Sequence, residues 1–398
     1  MLFLTKGEGN KYFVCATGHV RTPMVSYRLF FITLFFSSFS CVAVGQTSTV
    51  TTPQEIKNAI TKASSFLRDY GQQPDGSFSP QSGPAITALV VKALVQNGTP
   101  TRDPMVERGI KYILTFQQTD GGIYQEESAV ANYETSIAIL ALHAYNASGQ
   151  YPEVIHKAEQ FLTAIQWDES EGNVPADPEY GGAGYGRHER PDLSNTAFLI
   201  DALQGIGTGS DNAAIQRALI FVSRSQNLEG VHNTLPFATK NPDGGFYYTP
   251  ANGGESQAGK TATGGLRSYG SMTYAGLKSM IYAGVSSEDP RVLAAMNWLR
   301  RNYTFKENPG MGEAGLYYYL HTAAKALDAL GNDEFVDADG VSHEWRKDLT
   351  TVILSTQQSN GSWVNDNPRW LEGDANLVTS YALLALSYGQ TSTVNTVD

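Results

Sequence analysis

The sequence predicts an all-α fold, an (α/α)6 toroid of six helical hairpins, on three observations. From Pro53 onward, twelve stretches with helical apolar periodicity alternate with loops rich in Gly, Pro, Asn and Asp. Every second stretch is Ala-, Gly- and Leu-rich with few charges, whereas the stretches between are apolar on one face only. Residues 53 to 390 give about 56 per hairpin, room for two helices and a loop. Six helices buried on most sides and six amphipathic ones are both satisfied when the first set forms an inner ring and the second an outer ring. An open solenoid of helix pairs is the alternative.

In order, the helices are expected near 53–70, 84–97, 104–118, 131–148, 153–166, 192–206, 211–226, 269–284, 289–302, 316–331, 344–358 and 373–389. In the inner set, Thr87, Thr135, Thr196, Thr273 and Thr379 each have an aliphatic residue or Met seven positions on, at Leu94, Leu142, Leu203, Met280 and Leu386. Thr322 is an imperfect sixth. Outer stretches such as 56–60 and 292–299 carry one apolar face.

A loop recurs after several outer helices, as Gln73-Pro74-Asp75-Gly76-Ser77-Phe78, Gln118-Thr119-Asp120-Gly121-Gly122-Ile123-Tyr124 and Gln358-Ser359-Asn360-Gly361-Ser362-Trp363. Asp243-Gly244-Gly245-Phe246-Tyr247 keeps its turn and aromatic. Gly supplies positive φ, the Asx side chain stabilises the turn, and the aromatic packs back, so these loops read as structural staples. Between Phe335 and His343 a small hairpin is expected, turning at Asp339-Gly340; its acids lack calcium-loop spacing, and no metal is assigned.

The chain has 398 residues, 41% apolar, 11% aromatic and 17% charged, which excludes a disordered chain and leaves ample material for a core. Of a net charge of -11, the first 45 residues hold Lys6, Lys11, Arg21 and Arg28 against Glu8. The remainder carries 24 basic and 38 acidic residues, a net -14 that speaks against a nucleic-acid partner. Both cysteines, Cys15 and Cys41, lie in that first stretch, where an apolar run from Leu29 to Gly45 ends in Ala43-Val44-Gly45 before Gln46. This reads as a signal peptide cleaved near Gly45, with Met24 as an alternative start. An exported protein without cysteine is therefore expected, with residues 46–52 a linker, 53–390 the toroid and 391–398 a flexible tail. An uncleaved anchor is the alternative, though the run is short for a span, and membrane association is compatible with either.

The loops and Thr-led helices together resemble the repeat of the squalene–hopene cyclase and protein-prenyltransferase superfamily, over about 53–390. Its Q-x-x-x-G-x-W motif is matched best by Gln357-Gln358-Ser359-Asn360-Gly361-Ser362-Trp363. The resemblance implies the toroid; function must come from the site. The prenyltransferase branch holds a catalytic zinc with Asp, Cys and His, and the thioester domains sharing this toroid also need a cysteine, so both are excluded for a cysteine-free mature chain. No cofactor is expected. Class II cyclases protonate an alkene with the central acid of a D-x-D-D motif opening an inner helix. The matching stretch is Asp192-Leu193-Ser194-Asn195-Thr196, with Ser194 where the resemblance places the proton donor. A serine hydroxyl cannot protonate an alkene, and Asp192 also suits an ordinary N-cap. The chain has room for one α-barrel, where full triterpene cyclases have two.

In such a toroid the inner helices all start at one mouth, fed here by long loops at 167–191, 227–268 and 303–315. Candidate catalytic residues there are Asp192, Asn195, His188 and Glu134. Candidate ligand-binding residues are Tyr133, Tyr185, Arg187, Arg267, Tyr269, Tyr274, Glu313, Tyr318, His321, Trp370, Asp374 and Asn376. The glycines of 181–186 follow no strand and are no nucleotide fingerprint. Aromatic faces with scattered polar groups suit a sugar or a polycyclic lipid equally. Three functions follow: a cyclase-like protein binding an isoprenoid or other apolar ligand, with protonation lost or remodelled; a polysaccharide lyase or hydrolase using Glu134, Asp192, Glu313 or Asp374; or a non-catalytic interaction module.

Overall fold

The computed structural model describes residues 52–146 and 149–390. The expected signal peptide, both cysteines and the expected tail lie outside the described residues.

Outer helices open on strong caps. Thr52 forms a capping box with Glu55 before α1 (Pro53–Phe66), and Asp103, accepting from Met105 N, opens α3 (Pro104–Leu114) after the inner helix α2 (Ala85–Gln96). Asn212 and Asp289 open α7 (Ala213–Arg224) and α9 (Pro290–Arg301) in the same way. The remaining outer helices are α5 (Pro152–Ala164) and α11 (Trp345–Ser355). Proline at the first helical position of four of these six fixes φ where no amide donor is needed.

Inner helices α4 (Ala131–Tyr145), α6 (Leu193–Gly205), α8 (Gly270–Tyr282), α10 (Leu316–Leu330) and α12 (Ala375–Gly389) are buried along nearly their whole length. Each packs on the next, and α12 packs back on α2, which closes the ring and rules out the open solenoid. A short helix, Pro236–Lys240, sits in the loop before α8. The hairpin forms with β1 (Glu334–Val336) antiparallel to β2 (Ser342–Glu344) and Phe335 opposite His343.

Three contacts repeat around the ring. Thr87, Thr135, Thr196, Thr273 and Thr379 Oγ1 accept the backbone N–H of Phe78, Ile123, Ala183, Phe246 and Trp363 at 2.9–3.1 Å, tying each loop to its inner helix. The loop glutamine bridges outward: Gln72, Gln166 and Gln226 Nε2 each donate to their own loop glycine's carbonyl and to the next outer helix. Gln357 makes the same pair of bonds to Gly361 O and Ala59 O, joining the last hairpin to the first. Gly361 has φ 93°, and a Cβ there would collide with the Lys62 carbonyl of α1.

Deep in the ring lies one charged cluster. Asp201 Oδ2 of α6 accepts from Lys278 at 2.6 Å and Lys325 at 3.0 Å, tying α6 to α8 and α10. Burial alone would raise the Asp201 pKa, but the two ammoniums hold it down to about 2.

Candidate functional site

Inner-helix N-termini and the loops before them surround a cavity of about 470 Å³. Its wall follows the repeat. The residues two positions before the repeat threonine, Ala85, Tyr133, Ser194, Ser271 and Leu377, all line it. One position before, Ile86, Glu134, Asn195 and Met272 line it too. The first turn of each helix therefore faces the axis before the chain turns its apolar sides to its neighbours.

The deep wall is aromatic. Phe198 packs edge-on against Tyr133 at 4.9 Å between centroids and lies tilted against Tyr318 at 6.0 Å, and Tyr318 meets Tyr381 at 6.0 Å. Their hydroxyls pair off: Tyr133 with Tyr381 at 3.1 Å, and Tyr318 with Ser194 Oγ at 3.0 Å. Burial holds the tyrosine hydroxyls protonated, pushing Tyr133 up to about 12 and Tyr269, Tyr318 and Tyr381 upward as well. Tyr185, Trp370 and Leu371 line the outer part and are 40%, 43% and 59% exposed, which puts them at the opening. Trp370 and Leu371 both hold positive φ, 57° and 65°. The Arg369 guanidinium lies 4.1 Å above the Trp370 ring and donates to Gln257 Oε1 at 2.6 Å across the mouth.

Among the described residues one carboxyl lines the cavity, that of Glu134. Gln125 N donates to its Oε2 at 3.2 Å and Ser128 bonds it too, but burial outweighs both and pushes its pKa up to about 7. Asp192 lies behind the wall, 1% exposed, as the N-cap of α6. Its Oδ1 accepts Asn195 N at 2.9 Å and its Oδ2 accepts Asn195 Nδ2 at 2.8 Å, with Tyr248 as a further partner. Burial raises it to about 6 against those bonds.

Of the residues singled out in the sequence, Glu134, Asn195, Tyr133, Tyr185, Tyr269, Tyr318 and Trp370 line the cavity, and Asp192 reaches it through Asn195. The others point elsewhere. His188 is exposed on a loop at φ 60°. Arg187 pairs with Asp120 at 3.5 Å and stacks over Phe161. Arg267 donates to Lys260 O and lines a separate polar pocket with Asn241 and Asp243. Tyr274 is buried against Tyr319. Glu313 is exposed, and its carbonyl accepts from Asn365. His321 stacks on Tyr381, while Asp374 caps α12 and Asn376 bonds Ser79 Oγ. Sequence reading missed Tyr248, Phe198, Met272 and Tyr381 as wall residues. Met272 precedes its repeat threonine by one and Phe198 and Tyr381 follow theirs by two, a signal present in the chain.

A family model described as the squalene–hopene cyclase C-terminal domain matches residues 73–249. A drimenyl diphosphate synthase from Streptomyces showdoensis is 25% identical over 189 residues, 46% of this chain and 34% of that enzyme, so the matched part spans about a third of it. Among solved structures, the type II terpene cyclase MstE from Scytonema aligns with a TM-score of 0.52 at 15% identity, covering 85% of this chain and 98% of its own. A D-mannose isomerase aligns with a TM-score of 0.51 at 11% identity, covering 85% and 97%. At these identities the structures share the toroid, and chemistry has to be argued from the cavity.

Proposed function

We propose that this chain, a member of the squalene–hopene cyclase-like superfamily, is an exported protein that binds an isoprenoid or other apolar ligand in its central cavity, with class II protonation lost or remodelled. The observation that carries the proposal is the aromatic cavity itself. Phe198, Tyr133, Tyr318, Tyr381 and Tyr269 present rings to a space of a size typical of small-molecule sites, about 300–1,000 Å³. Such walls suit a branched apolar chain, and ring faces also favour positive charge developing on it.

At the place where a class II cyclase keeps its proton donor, the wall offers the Ser194 hydroxyl, shared with Tyr318. Proton donation, where it survives, falls to Glu134. That residue stands one repeat earlier, at the position equivalent to Asn195, and burial keeps much of it protonated near neutral pH. A glycoside hydrolase needs two carboxyls across the scissile bond. Glu134 supplies one, and Asp192, Glu313 and Asp374 are turned away from the cavity, which favours the apolar ligand over the sugar.

The test is native mass spectrometry of the purified chain, followed by organic extraction and identification of what it carries. A retained isoprenoid lipid is the expected result. Release of oligosaccharides from a polysaccharide panel by a chain that carries no lipid would overturn the reading in favour of a sugar-active enzyme. Export is checked by N-terminal sequencing of the secreted or envelope form, expected to begin near Gln46.

A further inference from the structure

We infer that the cavity recognises its ligand by a hydroxyl group, which donates to Asn195 Oδ1 and accepts from the Ser194–Tyr318 hydroxyl pair; this rests on the apolar-ligand reading and specifies the polar end of that ligand. One buried amide has a fixed orientation. Asn195 lines the cavity, is 1% exposed, and commits Nδ2 to Asp192 Oδ2 at 2.8 Å. Flipping the amide would set its oxygen against the carboxylate, so Asp192 fixes which end is left over. What remains is Oδ1, an acceptor buried without a partner. Nine buried side-chain atoms share that condition among the described residues, and Asn195 Oδ1 is the one on a cavity-lining side chain.

A buried acceptor without a donor is costly, and a ligand O–H or N–H relieves that cost. The adjacent residue narrows the choice. Ser194 Oγ and Tyr318 OH lie 3.0 Å apart, with either able to donate, and Tyr318 also bonds the Thr322 side chain, so three hydroxyls with two bonds among them retain one hydrogen, which Ser194 offers when Tyr318 donates to it. A hydroxyl can both donate to Asn195 and accept from this pair. An ether, a ketone or an alkene has no hydrogen for Asn195, and an ammonium has no lone pair for the hydroxyls. The rest of the wall is aromatic or aliphatic, which fits a terpenoid alcohol: an apolar body with one hydroxyl.

Ser194 and Asn195 occupy the third and fourth places of the acid motif, where the cyclase-like pattern has groups that deliver a proton to an alkene. Here the same places present an acceptor and a shared hydroxyl, which bind a group already oxygenated.

The experiment measures binding of farnesol, farnesyl methyl ether and farnesylamine to the full chain by quenching of intrinsic fluorescence, with Asn195→Leu and Ser194→Ala beside the wild type. Farnesol is expected to bind about tenfold or more tighter than its methyl ether, as for a site built to pair a hydroxyl. Asn195→Leu should abolish that preference, and Ser194→Ala, which leaves the Asp192–Asn195 pair intact, should reduce it. Equal affinity for alcohol and ether, or a preference for the amine, overturns the hydroxyl inference and leaves the apolar-ligand reading standing. Failure of all three to bind overturns both. If Asn195→Leu does not fold, the wild-type ligand series decides alone.

Discussion

Replacing Glu134 by Gln tests the most consequential electrostatic feature of the cavity. Burial raises this carboxyl from its usual 4.5 to about 7, against the opposing bonds from Ser128 and Gln125. Each tenfold change in proton affinity is worth about 1.4 kcal/mol, so the charged form is disfavoured in the folded chain by roughly 3 kcal/mol, and by nearer 2 kcal/mol once screening at the cavity opening is allowed for. The folded chain binds this proton more tightly than the unfolded chain does. Its contribution to stability is therefore complete below about pH 4.5 and lost as the pH rises through 7. Glutamine mimics the protonated acid and can still accept from Gln125 N. Urea unfolding at pH 4 and pH 8 should find wild type and Glu134→Gln nearly equal at pH 4, and the variant about 2 kcal/mol more stable at pH 8. Parallel pH profiles for the two proteins would refute the raised pKa, and with it the case for Glu134 as a proton donor near neutrality.

Ring closure predicts a contrast between two glycines. Gly361→Ala must drive a Cβ into the Lys62 carbonyl at φ 93°, whereas Gly98→Ala, at φ 87°, meets nothing within 4 Å and costs only the backbone term of about 1–2 kcal/mol. Thermal denaturation should place Gly361→Ala clearly lower, and equal melting temperatures would deny a closed ring at α1. Asp201→Asn leaves Lys278 and Lys325 buried without their carboxylate and should cost about 3–5 kcal/mol at pH 7 in urea unfolding. Because the Asp201 pKa is held down to about 2, its stabilisation is present above about pH 4 and fades as the pH falls through 2; a neutral effect of the substitution at pH 7 would contradict the pairing. Thr135→Val removes the acceptor for Ile123 N inside the core and should cost about 1–3 kcal/mol, measured the same way, with no loss meaning the loop finds another partner.

The toroid was legible because its determinants are local and repeated. Apolar periodicity separates all-round from one-sided helices, and the threonine seven positions before an aliphatic residue marks the inner set, whose hydroxyls the structure ties to the preceding loops. Long loops were a poorer guide to the site. The loops near the mouth offer His188 as a candidate catalytic residue and Arg187 and Arg267 as candidate ligand contacts, and charge and polarity hold the two arginines elsewhere: Arg187 finds Asp120, and Arg267 finds a backbone carbonyl in a polar pocket. A loop's backbone path decides on which side of the mouth a side chain falls, and no periodicity encodes that path. Tyr381 and Phe198 escaped for the opposite reason. Apolar and mid-helix, they read as core, and only counting from the repeat threonine places them on the wall.

That count also explains how a repeat fold can relocate its chemistry. Glu134 and Asn195 stand at the same step before Thr135 and Thr196, each threonine pinned to its loop by the same 3.0 Å bond. Equivalent backbone positions in adjacent hairpins therefore address one cavity from two sides. An acid absent from one hairpin and present in the one before it still faces the same cavity, although it approaches from a different direction. The environments differ in a way that sorts their roles. Asn195 is locked by the Asp192 carboxylate behind it and can only accept, whereas Glu134 has no cation at its side among the described residues, and burial raises it to about 7, so that a large share of it holds a proton near neutral pH. A hydroxyl held at Asn195 would thus sit in the same cavity as a carboxyl able to give up a proton. Dehydration of a bound alcohol is the reaction this pairing would permit: Glu134 protonates the hydroxyl oxygen, the C–O bond breaks with water as the leaving group, and the Glu134 carboxylate then takes a proton from a carbon next to the allylic cation, so that a C=C bond forms and the acid is restored. Farnesol incubated with the full chain should then yield a hydrocarbon detectable by gas chromatography, and should not with Glu134→Gln; unchanged alcohol with the wild type would confine the cavity to binding.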